Sequence, residues 1–169
     1  TTVITGLTNG TSYDFAVKAT NSAGSSAVSD EANATPAASA TVSLSKSGAS
    51  LAENGGTVTL TATLSAAASA NTSVTLSLSG NATINSDYTL SDNITINAGA
   101  TTGTATLTGL NDSTDDDNET IIVDISAVSG GDGARENGTQ QQTVNIIDDD
   151  VSTPSISVTS SNEKNTISW

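Results

Sequence analysis

The chain has 169 residues, sets 18 acidic side chains against 4 basic ones for a formal charge of −14, and contains no Cys, His or Met. Those absences exclude a disulfide framework, zinc, haem and iron–sulfur centres, and Ser-His-Asp or Cys-His catalysis; the charge makes nucleic acid and anionic membranes poor partners. A hydrophobic share of 34% with only 2% aromatics supports a thin core built from Val, Ile, Leu and Ala, in a background of Thr, Ser, Asn and Gly that suits strands and tight turns.

Residues 1–35 alternate as strands do. A short run over residues 1–4 precedes the turn Gly6-Leu7-Thr8-Asn9-Gly10. Tyr13, Phe15, Val17 and Ala19 then recur with period two, which predicts one apolar face with Tyr13 and Phe15 in the core. Asn21-Ser22-Ala23-Gly24 ends that strand, and Ser25 to Ala34 reads as a weaker final one. The stretch from Leu7 through Ala19, followed by Asn21-Ser22-Ala23-Gly24, resembles the last strands of a fibronectin type III domain. The resemblance implies that Tyr13 forms that family's tyrosine corner.

Residues 36–40 form a short Pro/Ala/Ser linker. Seven period-two runs bounded by turns follow in residues 41–150: Val42 to Ser45, Thr57 to Leu64, Val74 to Leu78, Ile94 with Ile96, Thr104 to Leu110, Ile121 to Ile125, and Val144 to Ile147. That spacing predicts an all-β sandwich. No segment keeps a helical period, although Ala66-Ala67-Ala68 could form one helical turn. Residues 151–169 begin with a second short linker. Ile156-Ser157-Val158 and Thr166-Ile167-Ser168-Trp169 then resemble the first strands of another fibronectin type III domain. The expectation is a window cut from a longer array of domains.

The carboxylates are clustered. Glu53 lies in Leu51-Ala52-Glu53-Asn54-Gly55-Gly56. Asp87 lies in Ser86-Asp87-Tyr88, the run Asn111 to Glu119 is acidic, and Asp148-Asp149-Asp150 closes the domain. Like charges at contact repel by about 1 kcal/mol per pair even in water. Such a cluster is either splayed into solvent or holds a cation, and Ca²⁺, which takes six to eight oxygens, suits it better than Mg²⁺. The Asp115 run lacks the glycine and final Glu of an EF-hand.

The ordered set Glu-Asn-Gly-Gly-Thr, Ser-Asp-Tyr, Asn-Asp-x₄-Asp-x-Glu-Thr and Ile-Asp-Asp-Asp closely resembles the Calx-beta family over residues 41–150. The resemblance implies a seven-stranded, immunoglobulin-like β-sandwich with calcium held by loops at one end. Carried over by position, the ligands are Glu53, Asp87, Asp112, Asp116, Glu119, Asp148, Asp149 and Asp150, with the backbone carbonyl of Thr114. Asn111 stands where the family often has Asp, so one position loses a charge and two or three ions are expected. Asp115 and Asp117 are expected to face outward.

The expected function follows from the site's place beside the second linker. It is a non-catalytic, calcium-stiffened spacer in a bacterial cell-surface or secreted adhesin or matrix protein. Its partners are calcium ions, neighbouring domains of the same protein and other copies or surface proteins. Nucleic acid is not expected, nor is membrane insertion of this segment. Two alternatives stand beside it: a subunit of an extracellular filament joined through strands of the end segments, and a calcium sensor domain.

Overall fold

The computed structural model describes residues 2–90 and 93–151. The strands expected at 156–158 and 166–169 lie outside the described residues, and so does Thr1.

Residues 2–35 carry four short strands: β1 (Tyr13–Phe15), β2 (Thr20–Asn21), β3 (Gly24–Ser25) and β4 (Ala32–Ala34). β1 pairs antiparallel with β4, and β2 with β3, as two separate two-stranded sheets. The expected single long strand is therefore interrupted. Residues 2–4 are not a strand, and Val17 is 75% exposed. Tyr13 and Phe15 are half-buried against each other, ring centres 6.3 Å apart, and do not join the core. Sheets of two strands have one layer and nothing to bury a period-two face against.

The remaining described residues form β5 (Thr41–Lys46), β6 (Ser50–Ala52), β7 (Thr57–Leu64), β8 (Thr72–Gly80), β9 (Tyr88–Thr89), β10 (Asn93–Ile96), β11 (Thr102–Gly109), β12 (Glu119–Gly130), β13 (Arg135–Glu136) and β14 (Gln141–Ile147). One sheet runs β10-β8-β12-β14-β6 and the other β13-β5-β7-β11-β9. All seven runs read from the sequence are strands here. The structure adds β6, β9 and β13, which are too short to show a period. Ala66 to Ala68 is not a helical turn: Ala66 lies in a bend, Ala67 and Ala68 in irregular chain, and Ala68 is buried.

The core lies between the sheets because alternate residues of each strand point inward. Val58, Leu60, Ala62 and Leu64 of β7 meet Ala105 and Leu107 of β11 on one side. Val74 and Leu76 of β8 meet Ile121, Val123 and Ile125 of β12 on the other. Burying each of the larger of these side chains is worth about 1.5–3 kcal/mol. Tyr88, 2% exposed, is the one aromatic in this core among the described residues. On the outer face of the second sheet, Thr57, Thr59, Thr61 and Thr63 lie opposite Thr108, Thr106, Thr104 and Thr102, a cross-strand arrangement that suits branched hydroxyl side chains in solvent.

The seam between β5 and β14 is closed by side chains. Leu44 N–H donates to Gln140 Oε1 (3.1 Å), Gln142 Nε2 donates to Leu44 O (3.0 Å), and Lys46 Nζ donates to Thr143 O. This spares an open edge on that side.

Candidate metal site

Four chain segments reach one end of the sandwich because each borders the end of a strand there. Glu53 follows β6 directly. Its N–H donates to Ile147 O at the end of β14 (3.0 Å). The turn after it closes tightly, with Gly56 N–H on Ala52 O (2.9 Å) and Gly109 N–H on Gly56 O (2.9 Å). Gly109 has to be glycine for this approach: a Cβ there would stand 2.4 Å from Ala52 O and 2.7 Å from Glu53 O. The result is a glutamate only 8% exposed, with Oε1 accepting the N–H of Asp112 at 3.0 Å.

Asp87 sits in a compact turn before β9. Its N–H donates to Thr83 O (2.9 Å), its Oδ2 accepts Thr83 N–H (2.5 Å), and its own carbonyl accepts the N–H of Leu110 (2.9 Å). Asn85 in this turn holds a positive φ of 65°, which Asn tolerates better than most residues. The loop from Asn111 to Asn118 is organised by Asp112, whose Oδ1 accepts the N–H of Thr114 at 2.6 Å. Glu119 opens β12. Beyond β14, Asp148 N–H donates to Asn118 Oδ1 (3.1 Å) and Asp150 N–H to Asp148 Oδ1 (3.2 Å), which folds the Asp triplet back over the loop.

These segments converge. Carboxylate oxygens of Glu53, Asp112 and Asp150 all lie within 4.8 Å of one another. Glu53, Asp87, Asp112, Asp116, Glu119 and Asp148 line one small pocket, together with Asp117 and Ile146. Asp150 Oδ2 is buried with no hydrogen-bond partner among the described residues. Seven of the residues read from the sequence as ligands are thus brought to one place. Asp149 and Thr114 are not among the pocket's lining residues: Asp149 Oδ2 accepts Asn54 Nδ2 (2.7 Å), and Thr114 supplies its N–H to Asp112. Asp117, expected to face outward, lines the pocket instead. No period exists in an irregular loop from which its side-chain direction could have been read. Gly109 and Asn118 also escape a sequence reading, since their roles lie in backbone approach and in a contact across 30 residues of chain.

The electrostatics record the crowding. Burial is the largest cause that raises Glu119, to about 7, followed by a hydrogen bond with Asp87 and the charges of Asp87, Asp116 and Glu53. For Glu53 the Asp112 N–H pulls downward most strongly. Burial, a hydrogen bond with Asp148 and the charges of Asp112 and Asp148 together outweigh it, and the pKa is raised. Asp150 is raised by burial and then by the charges of Asp148, Asp149, Asp112 and Asp115. Asp112 alone is lowered, because the Thr114 N–H stabilises its ionised form. Carboxyls that resist ionisation next to one another lack a positive charge among them.

Comparison with known proteins agrees with this architecture. The Calx-beta domain model matches residues 36–150. Among solved structures, CBD12 from CALX1.2 is 19% identical over 60% of this chain, with a TM-score of 0.51. The apo-form Calx CBD1 domain is 18% identical over 65% of this chain and 99% of its own length, with a TM-score of 0.52. The calcium binding domain CBD12 of CALX1.1 is 19% identical over 60% of this chain, with a TM-score of 0.51. At these identities the likeness is one of fold, and this chain spans 41% of each of the two CBD12 chains. Among curated proteins, none matches the chain in sequence. The match over residues 36–150 covers well over half of the chain, which therefore belongs to the Calx-beta domain family.

Proposed function

We infer that this chain is a non-catalytic module that binds Ca²⁺ at its acidic end and thereby stiffens a multidomain cell-surface or secreted protein. The observation that carries the reading is the triad of Glu53, Asp112 and Asp150, drawn from three distant segments and left with a buried, unpartnered carboxylate oxygen. Two oxygens on one calcium lie at most about 5 Å apart, twice a bond of ~2.4 Å, and the triad meets that limit. The donor set is all oxygen, and the chain has no Cys or His, so a hard cation fits and a soft one does not. Glu53, Asp112 and Asp150 would hold it, with Asp87, Asp116, Glu119 and Asp148 around them. The ion would supply positive charge that cross-links β6, the 111–118 loop and the segment after β14. Because that last segment leads out of the domain, holding it fixes the direction in which the chain departs.

The setting is part of the same proposal. Residues 1–35 are read as the end of a fibronectin type III domain, 36–40 as a linker, 41–150 as the calcium module, and 151–169 as the start of another fibronectin type III domain. Tyr13 supports the first of these: its hydroxyl accepts the N–H of Thr8, five residues upstream, at 3.0 Å, as a tyrosine corner requires. A filament subunit remains the second reading. The outer edges of the β1–β4 sheet, unpaired among the described residues, and the exposed Val3, Ile4, Val17 and Val28 favour it. Differential scanning calorimetry with calcium and with chelator tests the main reading. A midpoint that does not move, together with no heat of binding on titration, would sink it.

A further inference from the structure

Three Asn-Gly steps occur in the chain, at Asn9, Asn54 and Asn137, and all three asparagines are exposed. Only Asn54–Gly55 adjoins the acidic pocket, immediately after Glu53. Asn54 Nδ2 is held by Asp149 Oδ2 at 2.7 Å, and Gly55 N–H donates to Glu53 O at 2.6 Å. Gly55 has φ +90°, and nothing stands within 4 Å of where its Cβ would be. With no side chain on Gly55 and no other atom crowding its α-carbon, those two hydrogen bonds are the contacts that hold the Asn54 amide away from the Gly55 nitrogen.

We propose that Asn54–Gly55 is a self-modification site whose reaction is opened when the acidic pocket holds no cation. In this reaction the backbone nitrogen of Gly55 attacks Cγ of Asn54. The bond from Cγ to the side-chain nitrogen breaks, and ammonia leaves carrying the amide proton, which closes a cyclic imide. Water then adds to one of the two imide carbonyls. One opening gives aspartate at position 54; the other gives isoaspartate, with the main chain rerouted through the side-chain carbon. The balance is one water consumed and one ammonia released, with no oxidant or reductant.

The gating rests on the calcium reading above and follows from who holds Asn54. Attack requires the Asn54 side chain to leave Asp149 and the Gly55 N–H to leave Glu53 O. Both restraints are formed in the structure, so attack needs them to open transiently; without a cation, the mutual repulsion of Glu53, Asp148, Asp149 and Asp150 favours that opening. A cation that draws in Glu53 and Asp150 tightens the turn on one side and the Asp triplet on the other. The product matters to the same pocket. Aspartate at 54 would replace an amide donor by a carboxylate facing Asp149, and isoaspartate would insert a carbon into the main chain next to Glu53. The modification would thus keep an irreversible record of time spent without metal.

The test is incubation of the full chain at mildly alkaline pH, with excess calcium or with chelator. Peptide mass mapping and enzymatic isoaspartate detection would then follow each of the three Asn-Gly steps. Conversion at Asn54 is expected in chelator and is expected to be suppressed severalfold by calcium, while Asn9 and Asn137 convert equally in both. Conversion at Asn54 at the same rate in both conditions, or none in chelator while the other two convert, overturns the inference. Calorimetric titration of the unmodified chain separates the two failures. Calcium uptake without protection of Asn54 removes only this inference, whereas no uptake removes the calcium reading and the gating together.

Discussion

The two ends of the sandwich are built to opposite plans. At the end carrying Ser69, Asn71 and Asp132, polar groups are satisfied from within the chain. Asp132 takes both the N–H (2.6 Å) and the hydroxyl (3.0 Å) of Ser69, and Asn71 Oδ1 takes the N–H of Ala98 (2.8 Å). Its left-handed turn, Gly130 to Gly133, runs through four positive φ angles and closes on its own hydrogen bonds. At the other end the carboxylates face one another. Among the described residues each end also keeps one orphan: the hydroxyl of Thr72 in the first, an oxygen of Asp150 in the second. A buried neutral hydroxyl is a modest cost, whereas a carboxylate oxygen among other carboxylates calls for a positive charge. One end is finished by the chain alone, and the other is finished by something added.

That contrast can be broken in order of expected effect. Calcium at 100 times its dissociation constant should stabilise the fold by about 2.7 kcal/mol per site. For a chain of this size the midpoint should rise by roughly 5–10 °C, read by calorimetry, and magnesium should do less. Next comes a matched pair in β11. Gly109→Ala collides with Ala52 O and Glu53 O, and Gly103→Ala collides with Thr95 O at 2.5 Å, away from the pocket. Both should lower the metal-free midpoint. Only Gly109→Ala should weaken calcium binding, by roughly 10- to 100-fold as for other residues that orient ligands. Equal calcium affinity in the two variants would show that the acidic end does not depend on how Glu53 is seated.

Acidity supplies the third comparison. Glu119 is raised from 4.5 to about 7 in the folded, metal-free protein. An acid whose folded pKa lies above its unfolded one favours folding while protonated, and that contribution is lost as pH rises. Metal-free stability should therefore fall between about pH 4.5 and 7, while calcium affinity should climb over the same range because binding needs ionised carboxylates. Glu119→Gln should flatten the first trend and raise the metal-free midpoint at neutral pH by a few degrees. Melting curves across pH in chelator check it; a metal-free midpoint that climbs with pH would contradict the proposed charge crowding. Smallest is Thr72→Val at the finished end, a swap of similar volume that removes the orphan hydroxyl. It should gain up to about 1 kcal/mol and leave the calcium response unchanged, as titration calorimetry would show.

Much of the architecture was legible in residue order. Every run with a clean period of two, from Thr57–Leu64 to Val144–Ile147, is a strand with its apolar face inward. The short strands β6, β9 and β13 were not, because two or three residues cannot display a period and are held by neighbours distant in sequence. The same reasoning failed over residues 13–19. There an apolar alternation exists, yet Val17 faces solvent for want of a second layer to cover it.

For the site, composition and spacing alone determined that hard, oxygen-seeking chemistry was available and which segments carried it. Charge and donor type are properties of residues, and turns between strands put those segments at strand ends. Tertiary structure alone decided which carboxylates meet. Asp117 turns in, Asp149 turns to Asn54, and Asp150 is left with an unpartnered oxygen beside Glu53 and Asp112. The physical reason is that side-chain direction in an irregular loop is set by contacts across the fold, here the closeness that Gly109 permits and the hydrogen bond from Asp148 to Asn118, and no local pattern encodes those contacts.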